Sequence, residues 1–95
     1  MRIRWLISTR DALRRQLAFI AEENPAAAKR LRIRIHDAVR KLRQFPECGR
    51  VGEAEGTREL IVAGLPYFIV YHVRDDTVFI LRVFHVSTEW SRALL

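Results

Sequence analysis

Apolar residues fall in two periods along the chain, and the change from one to the other marks the layers of the fold. From Met1 to Ile7, arginines at 2 and 4 alternate with Ile3, Trp5 and Ile7, the period of a half-buried strand. Ser8 followed by Asp11 has the form of a capping box, and Leu13, Leu17 and Ile20 then recur at helical spacing, predicting a helix from Ser8 to Glu23. Asn24-Pro25 reads as a break and restart, Asn24 capping a second helix whose first position is Pro25. That helix shows a stripe of Leu31, Ile35, Ala38, Leu42 and Phe45 and stops at Pro46, while Ile33 falls nearly opposite the stripe.

Beyond Pro46 the period shortens again. Residues 46–56 contain Gly49, Gly52 and Gly56 and read as a surface loop. Thr57 to Ala63, Tyr67 to Val73 and Val78 to Phe84 read as strands, the middle one continuously apolar save for His72 and therefore expected to be covered on both faces. Gly64-Leu65-Pro66 and Asp75-Asp76 turn the chain between them, giving an antiparallel meander. A short helix is expected in the tail from Ser87 to Leu95. The predicted class is α+β: strand, helix, helix and three strands, with a two-helix hairpin on one face of a mainly antiparallel four-stranded sheet. The other sheet face is left at least partly open.

Composition narrows the picture. Ninety-five residues, 49% of them apolar, suffice for one domain with a single core, which excludes multi-domain and disordered readings. A lone Cys48 cannot form an internal disulfide, and neither a signal peptide nor an apolar run of bilayer length is present, so a cytoplasmic protein without a membrane partner is expected. The charge is lopsided. Residues 1–50 carry 13 basic and 5 acidic side chains, whereas residues 51–95 carry 4 and 6. On the second helix Asp37 is the acidic neighbour of seven cations from Lys29 to Arg43, a stripe that attracts nucleic acid or an acidic protein segment. Neither metal-ligand spacing nor a phosphate-cradling Gly-Lys-Ser/Thr loop occurs, and no cofactor is expected.

Four side chains have candidate chemistry. Arg82 interrupts an apolar strand and shares alternation with Val78, Ile80 and Phe84, which sends its guanidinium out on their face, either to a phosphate or partner or to a structural carboxylate such as Glu59. Arg58, on a neighbouring strand, would make an anion site with Arg82 if both left the sheet on one side. His85 points opposite to Arg82 and is a candidate general acid or a structural strand-end residue. Trp5 alternates with core positions, whereas Trp90 in the tail is a candidate for stacking or partner contact.

The segments Ile20 to Ala28, Phe45 to Gly52, Gly56-Thr57-Arg58-Glu59-Leu60, Pro66 to Tyr71 and Ile80 to His85, in this order and spacing, resemble the RelE/ParE superfamily of small bacterial toxins. The resemblance implies a toxin of a type II toxin–antitoxin module, neutralised by a cognate antitoxin that wraps it with an acidic segment folding on binding. Arg30, Ile33, Arg34, Asp37, Arg40 and Lys41 would then meet the antitoxin. RelE-like members cut mRNA on the ribosome and ParE-like members poison DNA gyrase. Where RelE-like nucleases usually carry an Arg before a Leu-Val-Tyr sequence, this chain has Phe68 before Ile69-Val70-Tyr71, and its tail does not clearly match the basic or His-Tyr ending of such enzymes. The ParE-like branch is therefore favoured, with Arg82, Trp90 and Arg92 as gyrase contacts. The alternatives are a ribosome-dependent endoribonuclease, with Arg58, Arg82 and His85 as its catalytic groups, and a non-toxic nucleic-acid-binding module.

Overall fold

The computed structural model describes residues 1–86, and the predicted tail helix lies outside them. The chain runs β1 (Arg2–Trp5), α1 (Ile7–Glu23), α2 (Pro25–Gln44), β2 (Arg50–Val51), β3 (Arg58–Ile61), β4 (Tyr67–Arg74) and β5 (Thr77–His85). The sheet order is β1-β5-β4-β3-β2, with β1 parallel to β5 and the other pairs antiparallel. The α+β class and the helical hairpin agree with the sequence pattern. The sheet has five strands instead of four, because two residues of the predicted loop, Arg50 and Val51, pair with Glu59 and Arg58.

Both helix starts show what local signals can decide. Asn24 caps α2 as expected, its Oδ1 accepting the Ala27 N–H at 3.1 Å, with Pro25 at the first turn. By contrast, α1 begins one residue before the predicted capping box, from Leu6, with no side-chain cap. The sheet sets this boundary: the Leu6 N–H still donates to Ile80 O at 3.2 Å, and the Thr9 hydroxyl donates to Leu81 O. Long-range bonds to β5 thus override the Ser8 signal.

The core lies between the hairpin and one sheet face. Leu13 from α1 and Leu31, Ile35, Val39 and Leu42 from α2 meet Tyr67, Ile69, Tyr71, Val78 and Ile80, with Ile3 and Trp5 packed at the margin. Phe45, expected on this stripe, is the residue after α2 and stays 58% exposed; Val39 fills the stripe instead. Only alternate residues of β4 meet the helices. Phe68 is buried on the far face, while Val70 and His72 are half-buried there, so the middle strand is not sealed along its whole length on both sides.

A bulge in β5 changes which residues reach that far face. Val70 pairs with Arg82 and Tyr71 with Ile80, leaving Leu81 unpaired between them. One extra residue reverses the alternation. Val78 and Ile80 face the helices, and beyond the bulge Arg82 and Phe84 face the opposite side, correcting the expectation that all four share one face. The Asp75-Asp76 turn closes the β4–β5 hairpin without glycine, both residues taking left-handed φ values of 51° and 60°, a conformation that Asp tolerates better than most residues.

Candidate functional site

The candidate nuclease groups occupy three separate environments. Arg58 pairs across from Tyr71 on the helix side, and its Nη1 donates to Gly49 O at 2.8 Å and Glu47 O at 3.3 Å. It works with Tyr71, whose hydroxyl donates to Pro46 O at 2.8 Å and accepts the Gly49 N–H at 2.9 Å. Together they fasten the chain after α2 to the sheet. Burial raises the Tyr71 pKa above its ordinary value, partly offset by the Gly49 hydrogen bond. Gly49 has no room for a side chain: a Cβ would lie 2.6 Å from the Tyr71 hydroxyl and 2.8 Å from Glu59 O.

Glu59, one residue after Arg58, points to the other face and is 5% exposed. Arg50 reaches its Oε1 through both Nε and Nη2, each at 2.9 Å, and the Glu53 N–H approaches Oε2 at 3.4 Å. The carboxylate considered for Arg82 is therefore engaged by Arg50. Arg82 instead holds its guanidinium over the Phe84 ring, 4.8 Å from the centroid, and Phe84 stacks on Phe68 at 5.1 Å. His85 pairs opposite Tyr67 on the helix side, with the rings edge to face at 5.0 Å. Arg58 and Arg82 leave opposite faces, and Arg82, His85 and Arg58 do not converge on one phosphate-sized point.

The residues expected to meet an antitoxin form a continuous surface. At 100° per residue, Arg30, Arg34, Asp37 and Lys41 line one strip of α2 with Ile33 and Arg40 beside it, and all six are exposed. Asp37 and Arg40 form a loose pair at 3.7 Å, too solvated to neutralise the strip. Ile33 is 46% exposed, as its position opposite the apolar stripe requires. Next to this strip, Arg34, Asp37, Ala38, Lys41, Leu60, Ile61 and Ala63 line a cleft of about 200 Å³ between α2 and β3.

Two features escape the sequence pattern. A groove of about 480 Å³ lies between α1 and the end of β5, lined by residues that include Leu6, Ala12, Leu13, Gln16, Leu81 and Val83. One turn beyond Gln16, Phe19 is 73% exposed; its place off the Leu13–Leu17–Ile20 stripe is the available signal. The second is the gathering of cations on the sheet face expected to be partly open, where Arg2 and Arg4 share a side with Arg82. The strict Arg–apolar alternation of β1 announces their side, but the Leu81 bulge hides that of Arg82. Trp90 and Arg92 lie outside the described residues. Among the described residues no group of three His, Cys, Asp or Glu side chains is placed to hold a metal ion, and no helix is long and apolar enough to cross a membrane.

A mixed sheet backed by a helical hairpin, with a cationic second helix, fits the class of small RelE/ParE-type toxins that the sequence resembles. Residues 3–90 match the family model of the ParE toxin of type II toxin-antitoxin systems, parDE, and the chain belongs to that family. It is 40% identical over 93 residues to the putative toxin Y4kP of Sinorhizobium fredii, covering 98% of this chain and 96% of that one. It is also 39% identical over 69 residues to the toxin RelE2 of Caulobacter vibrioides, covering 73% and 76%. Among solved structures, one described as the chromosomal ParDE TA system from P. aeruginosa superposes with a TM-score of 0.81 at 23% identity, covering 92% of this chain and 97% of that one; this likeness concerns the fold. The chain is thus a toxin of a type II toxin–antitoxin system, a class that implies an antitoxin partner.

Proposed function

We propose that this toxin arrests growth in the cytoplasm by binding and poisoning DNA gyrase, and that its antitoxin neutralises it along the cationic strip of α2. The observation that carries the first part is the dispersal of the candidate nuclease groups. General acid–base cleavage of RNA needs groups converging on one phosphate, whereas Arg58 is engaged with loop carbonyls, Arg82 lies over Phe84 and His85 sits against Tyr67 on the other face. Membership of the ParE family supports the same reading. For the antitoxin, the exposed Ile33 among Arg30, Arg34, Arg40 and Lys41 offers an apolar anchor within a cationic field, the complement of an acidic amphipathic segment.

The test is induction without the antitoxin, reading a DNA-damage reporter and transcript 5′ ends in one culture, with supercoiling by purified gyrase measured beside it. Damage signalling, intact transcripts and inhibited supercoiling are expected. New transcript ends in register with codons would instead make the chain a ribosome-dependent nuclease. Replacing Ile33 by Asp together with Arg34→Glu is expected to abolish co-purification with the antitoxin while the toxin stays folded.

A further inference from the structure

The open face of the sheet has a composition that neither the packing of the core nor antitoxin capture on α2 accounts for. Arg2 and Arg4 on β1, Arg82 on β5 and Arg74 on β4 are all exposed, and the register puts them on the side away from the helices. Arg4, Phe79 and His72 form one row across three strands, and Arg2, Thr77 and Arg74 form the next. Successive same-side residues of a strand are about 6.8 Å apart, so Arg2 and Arg4 make an evenly spaced pair of cations. Phe79 lies within the first row, between Arg4 and His72, half-buried, with its ring against His72 at a centroid distance of 6.1 Å and an angle of 29°. Both lysines of the chain, Lys29 and Lys41, are on α2; the cations of this face are arginines.

Among the described residues, little on this face neutralises these charges. The Glu59 carboxylate, on the same side, is engaged by Arg50. Asp75 approaches Arg74 only at 3.7 Å, with both side chains more than 70% exposed, a geometry worth little in water. Guanidinium forks match phosphate oxygens in two-point hydrogen bonds, and an aromatic ring on a sheet surface accepts the face of a base irrespective of sequence. A protein partner would need exposed apolar anchors beside these arginines. Ile61, 51% exposed, shares the face but lies on β3, on the far side of β4 from Arg2, Arg4 and Arg82, and Ile7 and Phe19 belong to α1 in the other layer.

We propose that the open sheet face, from Arg2 and Arg4 across Phe79 to Arg74 and Arg82, binds the sugar-phosphate backbone of single-stranded nucleic acid without sequence preference, with Phe79 stacking on a base. The site holds its ligand and performs no chemistry on it. It stands apart from the gyrase reading, since neither needs the other to be true.

The test is fluorescence anisotropy of a labelled oligo-dT titrated with the purified full chain at several salt concentrations. Wild-type protein is expected to bind with a log–log salt slope of roughly −0.7 for each phosphate neutralised. Replacing Arg2, Arg4 and Arg82 together by Ser should weaken binding at least about tenfold and flatten the slope, and Phe79→Leu should cost about fivefold or more. A control that removes equal charge from α2, Lys29, Arg30 and Arg32 to Ser, should change affinity less than about twofold. All replaced arginines are exposed, and urea unfolding of each variant confirms that the fold is kept. Equal losses from the α2 control would reduce the effect to net charge and overturn the proposal. So would tighter binding of a duplex or of an acidic peptide by the same arginines, or no binding at low salt.

Discussion

The two faces of the sheet are made by the same strands and obey opposite rules. Toward the helices, Ile69, Tyr71, Val78 and Ile80 are fully buried and meet Ile35 and Leu42, which are equally inaccessible. On the other side lie the exposed Arg2, Arg4, Arg74 and Arg82, with Arg82 over the Phe84 ring and Phe84 stacked on Phe68. Stability is concentrated on the first face, and the proposed recognition surfaces are the second face and α2. A substitution should therefore reveal its face by which property it changes.

The sharpest contrast comes from Leu42→Ala. Its side chain is wholly buried, and its truncation should cost about 2–5 kcal/mol in urea unfolding through lost transfer energy and a residual cavity. Gly49→Ala should follow at about 1–3 kcal/mol, because the new methyl meets the Tyr71 hydroxyl and a backbone carbonyl, and only a shift of the loop can relieve both. A cost below about 0.5 kcal/mol would show that the loop after α2 is not fastened as described.

Tyr71→Phe should cost about 1–3 kcal/mol near neutral pH, leaving the Gly49 N–H and the Pro46 carbonyl without their partner. It also carries a pH signature. Since burial raises the Tyr71 pKa in the folded state, the folded protein retains a proton that the unfolded chain releases above its pKa of about 10. Stability from this group is fully present below that pH and declines as pH rises through the folded pKa. Urea midpoints measured across the alkaline range should fall for wild type, and the Tyr71→Phe variant should lack this component. Smallest of all, Arg4→Ser should shift stability by less than about 0.5 kcal/mol, as expected for an exposed strand-edge side chain. A large loss there would collapse the distinction between the faces.

How much of the fold and site is legible in the sequence follows from which interactions are local. The α2 start is readable because Asn24, Pro25 and Ala27 are neighbours in sequence, and the stripe Leu31–Ile35–Leu42 announces its buried side. The start of α1 is not, because its position depends on Ile80 and Leu81, about 70 residues away. The Leu81 bulge exists only in the pairing of β5 with β4, and no local pattern in Ile80-Leu81-Arg82-Val83 distinguishes it from a regular strand. Arg58 looks like a phosphate ligand because its partners are backbone carbonyls, Gly49 O and Glu47 O, which carry no side-chain signature. The pairing of Glu59 with Arg50 requires knowing that two loop residues become a strand.

The parallel pairing of β1 with β5 also sets the order in which the molecule can be built during synthesis. Arg2–Trp5 leave the ribosome well before their sheet partners, Thr77–Ile80, which are made about 75 residues later. The helical hairpin and the meander rest on contacts near in sequence and can form as the chain emerges, whereas the first strand must wait, its Ile3 and Trp5 unsheltered. A nascent toxin therefore lacks its complete sheet, and with it the row of Arg4, Phe79 and His72, until translation has passed the last hairpin. Until then a partner able to cover the waiting strand would meet an incompletely assembled toxin.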